Sequence, residues 1–132
     1  MFKKEERAGF KYTFAHWCAF QMTALNLGIW KFKYLFHDIE KPFLKLLWKD
    51  YSKVQKWHRT HNPHHIEYAG EWDIDAMIID WECSRFTKES AKLNAYEKCL
   101  EKINDNSSDI IAYTLENYMI PRLKELGLTK NQ

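Results

Sequence analysis

Apolar side chains recur at helical spacing along nearly the whole chain. Over Lys11–Trp30, the residues Phe10, Phe14, Trp17, Met22, Leu25 and Ile29 fall three to five positions apart. That is the period of one helix face and not the alternation of a strand. They define the expected apolar stripe of a first helix, with Gly28 near its end. Lys31–Asp38 predicts a second, short, apolar-rich helix that stops before Pro42, because the residue before a proline disfavours the α conformation. A third helix is expected over Phe43–His58, its stripe made of Phe43, Leu46, Leu47, Tyr51, Val54 and Trp57. Asn62-Pro63 reads as a start signal, a capping residue followed by proline at the first helical position. It opens a short helix that ends near Gly70.

Asp73–Phe86, carrying Met77, Ile78, Trp81 and Cys83, predicts a fourth main helix, and Ser90–Ile103 a fifth. Asn104-Asp-Asn-Ser-Ser is a polar turn. Ser108–Leu126 predicts the last helix, bent at Pro121 and closed by Gly127. There is no internal repeat, no low-complexity tract and no β-hairpin signal. The expected fold is all-α: a single-domain helical bundle of five to seven helices over residues 1–132. Its motif-bearing part covers about 12–90, and packing helices cover about 90–127.

Composition narrows the class. The chain has 132 residues with 45% hydrophobic and 16% aromatic content, which excludes a disordered tail and supports one core. Only 4 Gly and 3 Pro argue against a loop-rich sandwich or a glycine-rich phosphate loop. Lys and Arg number 20 against 18 Asp and Glu, so net charge does not indicate a nucleic-acid partner. Cys18, Cys83 and Cys99 form no C-x-x-C pair, and an odd count argues against a disulfide framework. The start, Met-Phe-Lys-Lys-Glu-Glu-Arg, does not read as a signal peptide. No stretch has the roughly 18 apolar residues of a membrane span. The expected location is cytoplasmic, the host cytoplasm if phage-encoded, with no membrane partner.

Histidine is the unusual feature. Of six, four fall within His58-Arg-Thr-His61-Asn-Pro-His64-His65, and another precedes an acid in His37-Asp38. Imidazole mixed with carboxylate suits first-row divalent metals, and the absence of cysteine partners excludes a structural zinc finger. A metal site in a helical bundle needs ligands projecting inward from several helices. His16 lies mid-helix among apolar residues, His37-Asp38 closes the second helix, and the histidine cluster straddles a helix start. Asp80 sits in the apolar run Met77-Ile-Ile-Asp-Trp81, where a carboxylate without a partner is costly to bury. The candidate ligands are His16, His37, Asp38, His61, His64, His65 and Asp80. His58 is expected to lie outside the ligand shell or at the surface, and Asn62 to cap a helix.

His37-Asp38-Ile-Glu-Lys41 resembles the H-D-x-G-K signature of the HD-domain superfamily of metal-dependent phosphohydrolases, with Glu40 in place of glycine. His16, 21 residues upstream, matches that superfamily's first histidine, and Asp80 its last aspartate. His58-x-x-His61-Asn62-x-His64-His65, followed by Tyr68 and Asp80-Trp81, is similar to an HD-related family of phages and bacteria over roughly residues 12–90. These resemblances imply an HD-type bundle holding one or two divalent metals (Mn, Fe, Ni, Co, Zn or Mg). Asp38 would bridge them, with His16, His37 and Asp80 on one and His61 with His64 or His65 on the other. The superfamily resemblance alone implies a phosphohydrolase, expected to act on a nucleotide or another small phosphate ester, with Asp38 and Lys41 as catalytic residues; the phage and bacterial family implies no substrate. Lys41 would hold phosphoryl oxygens; Glu40 or Glu67 is expected to relay a proton from its position beside the motifs, not from the resemblance. Two alternatives share the ligand set: an HD-fold di-iron oxygenase, and a non-catalytic, metal-stabilised helical binding protein.

Lys41, Lys45, Lys49 and Lys53 recur every four residues, and residues 31–60 hold eight Lys or Arg against three acids. This reads either as a solvated helix face or as a basic approach to a phosphorylated substrate. The Trp and Tyr residues read mainly as core, with Trp57 and Trp72, which flank the histidine cluster, also candidates to wall a pocket or stack on a base. The region after residue 90 is read as packing that completes the bundle or pairs two copies in a homodimer.

Overall fold

The structure, a computed structural model, describes residues 3, 6, 9–87, 93–105 and 108–129. It is all-α, with no strand among the described residues. The helices are α1 (Phe10–Asn26), α2 (Lys41–Trp48), α3 (Tyr51–His61), α4 (Ile74–Ser84), α5 (Ala95–Asp105), α6 (Asp109–Thr114) and α7 (Ile120–Glu125). A 3-10 turn over Phe32–Phe36 stands where a second helix is expected. No described helix is long and apolar enough to cross a membrane.

Helix α4 organises the interior. It starts on the Asp73 side chain, which accepts a hydrogen bond from Ala76 N at 3.1 Å, an ordinary N-cap. Every residue from Ala76 to Ser84 is buried. Ala76, Ile79 and Cys83 pack on Phe20, Ala24 and Tyr34, and this is the α1 side. Met77, Ile78 and Trp81 face the other way, onto Ala95, Cys99, Leu115, Met119 and Leu123 of the C-terminal helices. A bidentate ion pair from Arg122 to Asp75, at 2.8 and 3.1 Å, ties α7 to the first turn of α4. The three cysteines are free thiols.

Four expectations are corrected. The stripe Phe10, Phe14, Met22 and Leu25 is exposed, Phe14 to 69%. The buried face of α1 instead runs through Tyr12, Thr13, His16, Phe20, Gln21 and Ala24. Two polar members of that face have partners inside: Gln21 Nε2 donates to Tyr34 O at 2.7 Å and His16 meets Asp80. Their burial turns the more apolar side outward.

The expected helix Phe43–His58 is two helices. Lys49 adopts a left-handed conformation (φ 56°) that ends α2, and Asp50 caps α3 by accepting from Ser52 N at 3.0 Å. The break leaves Phe43, Leu46 and Leu47 exposed and removes the continuous lysine face. Asn62-Pro63 opens no helix. Asn62 is extended, as a residue before proline prefers, and residues 62–73 form a loop pinned by Asp73 N donating to Pro63 O at 2.9 Å. Asn104 and Asp105 belong to α5, so the polar turn does not begin at Asn104; Asn106 and Ser107 lie outside the described residues.

The fifth helix begins at Ala95, residues 88–92 lying outside the described set. At the end of the chain α6 passes through a π turn (Leu115–Met119) directly into α7, with Pro121 in its first turn. Proline lacks the N–H that a regular helix would need there, and the wider turn accommodates it. Gly127 ends α7 at φ 74°, a conformation that costs a residue with a Cβ about 1 kcal/mol or more.

Candidate metal centre

Two helix stripes bring the first pair of side chains together. His16 stands one turn before Phe20 on the α4-facing side of α1, and Asp80 one turn after Ala76 on the α1-facing side of α4. His16 Nε2 lies 2.8 Å from Asp80 Oδ1. The turn after the 3-10 segment supplies the next pair. His37 stacks on Phe20 with ring centres 3.7 Å apart, and its Nε2 is 3.1 Å from His16 Nε2 and 3.3 Å from Asp80 Oδ1. Asp38 Oδ2 is 3.4 Å from His16 Nε2 and 3.3 Å from His37 Nε2. Asp38 is left-handed, with φ 58°, a conformation Asp and Asn tolerate better than most side chains.

The other oxygen of Asp38 faces a second group. Oδ1 is 2.9 Å from His58 Nε2 and 3.2 Å from His64 Nε2. Nitrogens of His58, His64 and His65 lie within 4.8 Å of one another. Asp38 Oδ1 and the Nε2 atoms of His58, His64 and His65 are all closed off from solvent. None has a hydrogen-bond partner in proper geometry among the described residues. Buried polar atoms of that kind are rare unless something else satisfies them.

The donor chemistry fits a divalent ion. Ligand atoms about 2.1 Å from a metal lie roughly 3.0 Å apart at right angles and roughly 3.4 Å apart at tetrahedral angles. The contacts among His16, His37, Asp38 and Asp80 span 2.8–3.4 Å. This buried group, and the His58–His64–His65 group beside it, can each hold a metal ion.

Asp38 balances opposing effects. Burial favours its neutral form, but His37, His58 and Lys41 around it hold the carboxyl well below its usual range. Burial pushes His37 down to about 4 despite Asp38 beside it. Burial also lowers His65, aided by His64. His58 goes the other way: burial opposes its charge, yet Asp38 and Glu40 together raise it.

The sequence-predicted residues sort as follows. His16, His37, Asp38, Asp80, His64 and His65 converge. His61 does not. It is exposed, stacked on Trp57 at 4.3 Å, and its Nδ1–H donates to the Trp57 carbonyl at 2.8 Å. The expectation that His61 joins the cluster is therefore corrected, and His58 takes its place, fully buried. Its signal was the capping Asp50. A helix started there puts Val54 and His58 four apart on the buried stripe.

Glu40, the departure from the glycine of the motif, has a position of its own. Its Oε1 accepts from His58 Nδ1, which leaves His58 Nε2 to face Asp38. Asn62 caps no helix N-terminus. Its Nδ2 donates to His58 O at 2.7 Å and to Glu40 Oε1 at 3.4 Å, holding the pair in place. A carboxylate on the far nitrogen of a ligating histidine fixes its tautomer and raises its basicity. Glu40→Gln keeps the shape and removes the charge. It is expected to weaken metal affinity by about 10–100-fold, measured by competition against a chromophoric chelator. Unchanged affinity would remove Glu40 from the centre. Glu67, the other acid considered as a proton relay, pairs with Arg59 at 3.1 Å.

No protein-family model, no curated protein and no solved structure matches this chain.

Proposed function

We propose that the chain is a metal-dependent phosphohydrolase of the HD type, acting on a nucleotide or another small phosphate ester. One observation carries this reading. A single buried carboxylate, Asp38, turns one oxygen to His16 and His37, which Asp80 also faces, and the other to His58 and His64. That is the arrangement by which one residue serves two ion positions. His16, His37, Asp38 and Asp80 would hold one ion; His58 and His64, with His65 beside them, would hold a second. An ion held there would supply a water of lowered pKa and a Lewis acid for a phosphoryl oxygen.

The chain's own groups do the rest. Lys41 is buried, with its ammonium 4.0 Å from Asp38 Oδ2 and over the Tyr12 ring at 5.8 Å. A buried lysine beside the centre offers charge to phosphoryl oxygens, where preorganised donors have their largest effect. His37, Asp38 and His64 line a cavity of about 160 Å³ that also meets Phe36 and Pro63.

The test is turnover of a panel of phosphate monoesters and diesters by metal-loaded protein, with Lys41→Ala in parallel. The variant is expected to keep its metal and lose about 10²–10³ in rate. Lys49→Ala, on the exposed break between α2 and α3, is expected to change the rate little at about 0.15 M salt, where distant charges are screened. No turnover on any ester by protein with verified metal content would overturn the reading. Equal losses for both variants would remove Lys41 from the mechanism.

A further inference from the structure

A second pocket opens on the centre from the side of α5. It is lined by His65 and Asp80, by Arg59 from α3 and by Lys98 and Lys102 from α5. The acid within it besides Asp80 is Glu67, which pairs with Arg59. Three cations therefore face two carboxylates, one of which already meets His16 and His37. Lys98 sits below its ordinary value, through burial first and then through the charge of Lys102.

We infer that Arg59, Lys98 and Lys102 form an oxyanion subsite that takes the phosphate group of the substrate at the His65–Asp80 edge of the centre. The inference rests on the phosphohydrolase reading for the word substrate, and on the pocket alone for the anion. The cavity is about 40 Å³. A single water needs about 10–15 Å³ measured this way, so the pocket holds roughly three waters. That is room for a small oxyanion displacing them and too little for a sugar or a base. Arg59 offers a planar fork suited to two phosphate oxygens, and the two lysines offer point charges. Helix α5 thereby acquires a role beyond packing, because two of its basic residues reach the site four apart on one face.

Inorganic phosphate is the probe, titrated into metal-loaded protein by calorimetry, with metal content measured on the same samples. Lys98→Met and Lys98→Met/Lys102→Met are expected to raise the phosphate Kd at least about tenfold with metal content unchanged, one charge-assisted hydrogen bond being worth that much. Glu67→Gln frees Arg59 and is expected to lower the Kd; because its sign is opposite, it separates a binding effect from damage to the fold. An unchanged phosphate Kd in the double variant overturns the subsite, whatever the ester panel shows. Lysine-dependent phosphate binding by a protein that hydrolyses no ester upholds the subsite and overturns only the hydrolase reading.

Discussion

Asp38→Asn is expected to give a folded protein that has lost its metal and its turnover. Asparagine tolerates the left-handed conformation that residue 38 adopts, at φ 58°, so the backbone keeps its path. What changes is the charge and one acceptor oxygen. Asp38 is the group that meets His16, His37, His58 and His64 at 2.9–3.4 Å. Losing a partner that merely orients a ligand costs about 10–100-fold in metal affinity. Losing a residue shared by both halves of the centre is expected to exceed that and to leave no measurable ester hydrolysis. Elemental analysis and turnover are read on the same preparation. Asp38→Ala serves as the contrast. It adds roughly 1–2 kcal/mol of left-handed strain, so its melting temperature should fall below that of Asp38→Asn. An Asp38→Asn protein that retains full metal content would overturn the bridging role.

Chelation is expected to lower the melting temperature by about 10 °C. A metal present at a hundred times its dissociation constant adds about 2.7 kcal/mol to the folded state. A domain of this size shifts roughly 4 °C per kcal/mol. The metal-free protein should also become acid-sensitive. His37 sits at about 4 in the folded chain because it is buried, whereas an unfolded imidazole titrates near 6.5. Between those values the unfolded chain binds the extra proton, so stability falls as pH drops from about 6.5 to about 4. His65, lowered in the same direction by burial, adds to this. His58 opposes it. Its folded value is raised, so its contribution is present below about 6.5 and fades as pH rises through the folded value. Two lowered histidines against one raised one make the net loss an acid loss. Melting curves of chelated protein at pH 7 and pH 5 decide the matter. A flat response, or a melting temperature indifferent to verified metal removal, would show that the cluster is not coupled to folding.

Sequence alone determined the helical class and the identity of most of the cluster. Spacing carries both. An apolar period of three to four marks a helix wherever it falls. A histidine, a His-Asp pair, a histidine-rich loop and an aspartate in an apolar run stand out because such side chains are rarely left in a core without partners. His16, His37, Asp38, His64, His65 and Asp80 were legible for that reason. Which face of each helix turns inward was not. In α1 the more apolar stripe is exposed, because the inward face is chosen by what His16 and Gln21 meet across the interior, namely Asp80 and the Tyr34 carbonyl. A count of apolar residues on one helix contains no information about its partners.

The exchange of His61 for His58 has the same origin at shorter range. Val54 is buried as expected, and His58, one turn further on, follows it inward in place of Trp57, while His61 is stacked on Trp57 in solvent. Glu40 reaches His58 across 18 residues of sequence, and Lys98 and Lys102 join Arg59 from a helix that reads as packing alone. Such pairings are set by how helices cross, through side-chain contacts that only the assembled bundle defines. The sequence therefore determined which residue types were available for a metal centre, and the tertiary structure decided which of them meet.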